Sequence, residues 1–265
     1  MARLGDPSII LTRVAVPSKG LALPVHHGHG VFRTVVSGVN STSYSASQGL
    51  DVRGMMRHPC SGVILSGGLN TRMGGQNKAL LPVGDKLTLD RLSSTFEGLF
   101  EEVVLVTNAP LEYLSWDLMI VTDLFPLRSS LTGIHAGLFH ASAPHIFVTA
   151  CDTPFLKKEL ITTLLDELEP KWDVIIPETK EGAQPLCAIY SKRCIKPIEH
   201  QLSKEDPKII NFFSKVKVKK IAEPQLRRAD PDLVSFFNIN TPEDLAASEK
   251  MLMEGRGIAK TSNKA

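Results

Sequence analysis

The feature that most restricts the fold is a series of short, continuous apolar runs separated by amphipathic stretches. Val63-Ile64-Leu65, Val103-Val104-Leu105-Val106 and Ile146-Phe147-Val148 are the clearest of them. Apolar residues standing side by side, rather than alternating with polar ones, mark strands covered on both faces, and helical stretches between them mark crossover connections. From residue 60 onward the pattern predicts strands over 62–66, 102–107, 118–122, 145–150, 173–176, 185–190, 216–221 and 234–238. Helices are expected near 88–99, 131–141, 156–168, 191–201, 207–214 and 241–255. The last has a strong start signal in Thr241-Pro242-Glu243-Asp244, with a Thr cap, Pro at the first position and acids in the first turn.

These elements imply an α/β fold: a single Rossmann-like, doubly wound, mostly parallel sheet flanked by helices on both faces. In such sheets ligands bind beyond the carboxyl ends of the strands. The 265 residues, 43% hydrophobic and 22% charged, are enough for one such domain, expected over 58–255. Residues 1–57 are rich in Gly, Ser, His and Val with weak periodicity, and read as an extension of unknown role, partly without order. Residues 256–265 read as a polar, flexible tail. His26, His27 and His29 could bind a metal, but three histidines without a carboxylate or cysteine partner more often mean nothing specific.

A net charge of +2 gives no argument for nucleic acid or a membrane surface as partner. No apolar run reaches the ~18 residues of a membrane span, and the N-terminus has no compact apolar region with a small-residue cleavage site. Cys60, Cys151, Cys187 and Cys194 have neither C-x-x-C pairing nor metal-ligand spacing. They read as small buried hydrophobes in a reducing cytoplasm. Cys151 precedes a carboxylate, which would raise its pKa and argues against a nucleophile.

Chemistry concentrates in residues 62–78. A buried strand runs into Gly67-Gly68, a second pair follows at Gly74-Gly75, and Arg72 and Lys78 flank that pair. Glycines let successive backbone N–H groups close on one anion, and the guanidinium and ammonium add fixed positive charge. Gly67-Gly68 alone would equally be a strand-ending turn; the whole stretch is the equipment of a polyphosphate site. It has neither the G-x-x-x-x-G-K-[ST] nor the G-x-G-x-x-G spacing. The neighbouring strands end at Asn108, at Asp123 and at Cys151-Asp152-Thr153-Pro154-Phe155, all on the same edge as this loop. Asp123 fits a turn-former as well as a ligand. Asp152, a hard carboxylate at a tight turn, could hold Mg²⁺ against phosphate oxygens or simply pair with Lys78.

Residues 65–78 resemble the L-x-G-G-x-x-x-R-M-G-G-x-x-K signature of the MobA-like nucleotidyltransferases, and within them most closely the molybdenum cofactor guanylyltransferases. Gln184-Pro185-Leu186-Cys187-Ala188-Ile189-Tyr190 is similar to the family's Q-P-L-x-A-L-Y strand, and 236–245 to its F-x-N-x-N-T-P-E-D-L segment. The matches run in order over roughly 60–250. The resemblance implies that Leu65, Ser66, Gly67, Gly68, Lys78, Asn108 and Asp123 bind GTP, and that Asp152 binds Mg²⁺ beside the nucleotide. It implies catalytic roles for Arg72, Lys78 and Asp152, and places Gln184, Asn238 and Asn240 on the molybdopterin side.

The implied reaction moves GMP from GTP to the terminal phosphate of molybdopterin, with pyrophosphate leaving. Molybdoenzyme apoproteins or maturation proteins would be further partners. Three positions depart from the family pattern. Ser66 stands where Ala is common, Asn77 where an acid often precedes the lysine, and Ser129-Ser130-Leu131-Thr132-Gly133 where G-P-L-A-G is usual; the last bears on base preference. Two alternatives stay open. A molybdenum cofactor cytidylyltransferase, or another MobA-like enzyme, is disfavoured by Asn238-Ile239-Asn240, since the cytidylyl branch tends to D-I-D. A non-catalytic maturation factor that only binds the cofactor is disfavoured by intact Arg72, Lys78 and Asp152.

Overall fold

The computed structural model describes residues 59–67 and 77–255. The extension expected over 1–57 with its three histidines, and the tail over 256–265, lie outside them. In chain order the elements are β1 (Cys60–Ser66), β2 (Pro82–Val83), β3 (Lys86–Leu87), α1 (Thr88–Phe96), β4 (Val103–Thr107), β5 (Met119–Val121), α2 (Ser130–His140) and β6 (His145–Ala150). They continue with α3 (Lys158–Leu165), β7 (Val174–Thr179), β8 (Gly182–Ala183), β9 (Cys187–Ser191), α4 (Ile195–Leu202), β10 (Val218–Ala222), α5 (Glu223–Ala229) and α6 (Pro242–Met253). The main sheet has the order β10-β7-β9-β6-β1-β4-β5, with β8 beside β7, and β2 and β3 form a separate hairpin. All pairs in that order are parallel except those of β9, which runs antiparallel to both β6 and β7. No described helix is long and apolar enough to cross a membrane.

The continuous apolar runs are buried on both faces, as their pattern required. On one face Ile64, Leu105, Phe147 and Ile189 pack with Leu89, Leu92 and Phe96 of α1, Leu160 and Leu164 of α3 and Leu226 of α5. On the other, Val63, Leu65, Val104, Val106 and Val148 pack with Leu131, Ile134 and Leu138 of α2 and Ile198 of α4. The sheet is therefore doubly wound. A third cluster, of Leu81, Val83, Phe155, Val234 and Ile239, joins the hairpin to α6 through Leu245 and Leu252.

The central strand is crowded from both sides, and two glycines make room. A Cβ on Gly62 would lie 2.6 Å from a ring carbon of Phe96 and 2.7 Å from one of Phe100, while one on Gly137 of α2 would lie 2.8 Å from Val63. Two expectations need correction. Residues 234–238 form no strand: Val234–Phe236 is a single 3-10 turn entered through Leu233 in the left-handed region, φ 53°. Residues expected as a helix near 207–214 form a 3-10 helix, Ile209–Lys215. The β2–β3 hairpin, β8 and α5 were not foreseen. Replacing Gly62 with Ala should cost about 1–3 kcal/mol, the usual penalty of overpacking a full core. Gly67→Ala, where a Cβ meets nothing within 4 Å, should stay within about 0.5 kcal/mol. Equal denaturation midpoints for the two variants would contradict this packing.

Candidate nucleotide site

The parallel register brings the predicted residues to one edge. Leu65 is paired with Val106 of β4 and Ala150 of β6, and its carbonyl accepts the N–H of Cys151 at 2.9 Å. The chain therefore leaves β1 and β6 side by side, at Ser66-Gly67 and at Asp152. Ser66 is buried and Gly67 exposed. Gly68, Arg72 and the second glycine pair lie outside the described residues.

Lys78 opens a 3-10 turn, Lys78–Leu80, capped by Asn77, whose side-chain oxygen accepts the Ala79 N–H. Its ammonium donates to Asp152 Oδ2 at 3.1 Å and to Asn240 Oδ1 at 2.6 Å. Both members of the ion pair are half-enclosed, with side chains 16% and 18% exposed. The pairing left open by the sequence is thus present, and Asn240 belongs to it. Asn240 is held there from α6. The Asp244 carboxylate accepts the N–H groups of Asn240 and Thr241, both at 2.9 Å, and Thr241 Oγ1 accepts the Asp244 N–H, a complete capping box. Those N–H donors hold the Asp244 carboxyl below the usual carboxylate range. The Ile239 N–H, one residue earlier, bonds the Asp152 carbonyl at 2.9 Å.

Asn108 and Asp123 meet at the ends of β4 and β5, where the Asn108 amide donates to Asp123 Oδ2 at 2.8 Å. Burial pushes the Asp123 carboxyl above its ordinary value, opposed by that hydrogen bond and by Arg128. Gln184 lies where β9 begins. Because β9 is antiparallel, that is the same edge of the sheet. The Gln184 amide donates to Thr179 Oγ1 at 3.3 Å. Asn238 is exposed. The structure thus joins Lys78, Asp152 and Asn240 in one group and Asn108 with Asp123 in another, while Gln184 and Asn238 touch neither through a hydrogen bond among the described residues.

The altered segment 129–133 is the start of α2. Ser129 Oγ accepts the Thr132 N–H at 3.2 Å, and Thr132 Oγ1 donates to the Leu127 carbonyl at 2.7 Å. Hydroxyl capping gives this helix a defined N-terminus without a Gly-Pro. Gly133 and Gly137 lie over Leu65 and Val63 respectively, so that N-terminus faces the strand's carboxyl end and adds a positive dipole end to the edge. All four cysteines are free and buried. Burial first, and the Asp152 charge second, push the Cys151 thiol up to about 12, which disfavours the thiolate.

Sequence reasoning missed Tyr113. Its ring is 1% exposed, and its hydroxyl bonds both Ser66 Oγ at 2.5 Å and Asn77 Nδ2 at 2.6 Å. It lies in a 3-10 turn, Pro110–Tyr113, too short for any periodic signal. The raised Asp123 pKa yields a pH prediction. With a folded value above the unfolded 3.8, ionisation is penalised in the fold, so the cost is absent below 3.8 and complete above the folded value. Asp123→Asn should therefore melt higher than the parent at pH 7, and the gap should close as pH falls toward 4. A gap that widens on acidification would show that the charge stabilises the fold.

Comparison with known proteins agrees with this architecture. Residues 62–217 match the MobA-like NTP transferase domain. The chain is 45% identical over 196 residues to the molybdenum cofactor guanylyltransferase of Desulfosudis oleivorans, covering 74% of this chain and 97% of that one. It is 38% identical over 196 residues to a probable molybdenum cofactor guanylyltransferase of Pelotomaculum thermopropionicum, covering 74% and 95%. The crystal structure of molybdopterin-guanine dinucleotide biosynthesis protein A from Archaeoglobus fulgidus matches with a TM-score of 0.66 at 28% identity, over 73% of this chain and 99% of that one. With more than half its length under the family match and close relatives aligned nearly end to end, the chain belongs to the MobA-like nucleotidyltransferases.

Proposed function

We propose that this protein is a molybdenum cofactor guanylyltransferase, transferring GMP from GTP to the terminal phosphate of molybdopterin. An oxygen of that phosphate bonds to the α-phosphorus of GTP, the bond from the α-phosphorus to the bridging oxygen breaks, and pyrophosphate leaves with the electron pair. The attacking phosphate is already ionised at neutral pH, so no general base is required. Positioning and charge stabilisation carry the reaction. The observation that carries this reading is the Lys78–Asp152–Asn240 group at the end of β1 and β6, where the Gly-rich loop departs.

Lys78 would neutralise the triphosphate together with backbone N–H groups of 65–68, and Arg72 would assist the departing pyrophosphate. Asn108 and Asp123 would bind the nucleoside at the neighbouring strand ends. Gln184, Asn238 and Asn240 would face molybdopterin, with Asn240 joining the two halves through Lys78. The donor set fits Mg²⁺. Lys78 engages Oδ2 of Asp152 alone, leaving the other carboxylate oxygen uncommitted among the described residues. Magnesium typically uses one or two protein carboxylates and fills its shell with water and phosphate oxygens. Bound there, it would supply charge neutralisation at the phosphates. The recipients of the product would be molybdoenzyme apoproteins or their maturation proteins, in the cytoplasm.

Lys78→Ala and Asp152→Ala should each abolish GTP-dependent transfer in the purified protein, and parental activity in either would overturn the role proposed for that residue. A nucleotide panel tests the base. GTP at about 100 times its Kd should stabilise the protein by ~2.7 kcal/mol in the presence of magnesium, with CTP and ATP well below that. A larger shift with CTP would make the enzyme a cytidylyltransferase; no shift with any of the three would favour a cofactor-binding factor without transferase activity.

A further inference from the structure

The hydroxyl of Tyr113 is a buried polar group that bridges β1 and the turn carrying Lys78. Its hydrogen bonds can be directed. Asn77 Oδ1 accepts the Ala79 N–H, so the amide nitrogen must face the other way, toward Glu112 Oε2 and Tyr113 Oη, both at 2.6 Å. Both amide protons of Asn77 are thereby engaged. Tyr113 Oη then accepts from Asn77 and needs an acceptor for its own proton. Ser66 Oγ, at 2.5 Å, supplies it. Burial raises the Tyr113 pKa above its ordinary value, so the phenol keeps that proton throughout the neutral range. The ring itself packs against Trp116, whose indole N–H is fixed on Asp90 at 2.8 Å.

We infer that Tyr113 is a positioning residue for Lys78: its hydroxyl ties Asn77, the cap of the lysine's turn, to Ser66 at the end of β1, and so fixes where the ammonium meets the nucleotide phosphates. Ser66 and Asn77 are also two of the positions at which the chain departs from what is common in the family, and both converge on this one hydroxyl. An apolar residue at 66 would leave the tyrosine proton facing only an amide that donates. The inference rests on the proposed role of Lys78 in binding GTP.

GTP affinity, measured by calorimetry on the full chain, tests it in two backgrounds. Tyr113→Phe and Ser66→Ala should each weaken GTP roughly tenfold, about the worth of one buried hydrogen bond. In a Lys78→Ala background neither should weaken it further, because the effect passes through the lysine. A residue that only supports the fold would lower the melting temperature and leave affinity unchanged at temperatures well below melting. Tyr113→Phe with parental affinity beside a crippled Lys78→Ala would overturn the positioning role alone. An undiminished loss in the Lys78→Ala background would also overturn it, since the tyrosine would then act elsewhere. Parental affinity in Lys78→Ala would overturn both this inference and the role proposed for the lysine. Should Tyr113→Phe fail to fold, Ser66→Ala reads the same contact.

Discussion

The parallel pairing of β1 with β6 is the constraint on which the site depends. It aligns Cys60 with His145 and continues without a break to Leu65 and Ala150. Cys151 then extends the ladder by one more bond to Leu65. Because both strands run the same way, the glycine loop and Asp152 emerge together although they are far apart in sequence. Side chains along a strand alternate in direction, so a slip of one residue would send the β1 set to the opposite face. Val63 and Leu65 would meet α1 instead of the small face of α2, and Ser66 would turn away from Tyr113. The close fit of Gly62 under Phe96 and Phe100, and of Gly137 over Val63, excludes that slip on steric grounds.

A second set of contacts closes the edge from the C-terminal side. Ile239 is buried against Leu81, Val83 and Phe155, which fixes the segment that carries Asn238 and Asn240. The first turn of α6 then orients Asn240, because the Asp244 carboxylate takes two consecutive backbone N–H groups there. Asp230 anchors the preceding segment in a comparable way. It is wholly buried, forms an ion pair with Lys157 at 2.7 Å and accepts the Ser235 N–H at 2.8 Å. A buried carboxylate with those partners fixes the path of 230–235. The capping motif Thr241-Pro242-Glu243-Asp244 thus does more than start a helix: it places the Asn240 amide oxygen against the Lys78 ammonium.

Much of this was legible in the sequence, and the reasons differ by element. Strands β1, β4 and β6 are continuous apolar runs, so their existence and their shared carboxyl edge could be read directly, while the antiparallel run of β9 could not. Asn108, Asp123 and Asp152 followed from lying at the ends of β4, β5 and β6, and Lys78 from closing the glycine-rich stretch. Residues 234–238 look like a strand because Val234, Phe236 and Phe237 are β-formers. Locally, though, the N–H groups of Phe236 and Phe237 bond back to Leu233 and Val234, and Ser235 is taken by Asp230. Tertiary hydrogen bonding overrode propensity there. Helix α5 is short and starts at Glu223-Pro224, directly after β10, leaving no loop signal between strand and helix. Tyr113 was invisible for a different reason. Its role depends on two partners brought together only by the fold, and its own turn has no repeat to detect.

The ion pair between Lys78 and Asp152 agrees with a structural pairing and with the role proposed for these residues, and its surroundings bear on both. A buried pair repays its desolvation only when its geometry is good and its remaining lone pairs are satisfied, and an exposed one contributes little. This pair is neither. Its side chains are 16% and 18% exposed, at an open edge, and the third partner is a neutral amide oxygen from a separate segment. The two oxygens that hold the ammonium are contacts that phosphate oxygens would replace in the role proposed for it. The amide of Asn240 and the carboxylate of Asp152 are themselves anchored through backbone bonds, at Asp244 and at Ile239, that do not involve the lysine. Release of the ammonium would therefore leave those anchoring bonds in place, as the role proposed for Lys78 requires.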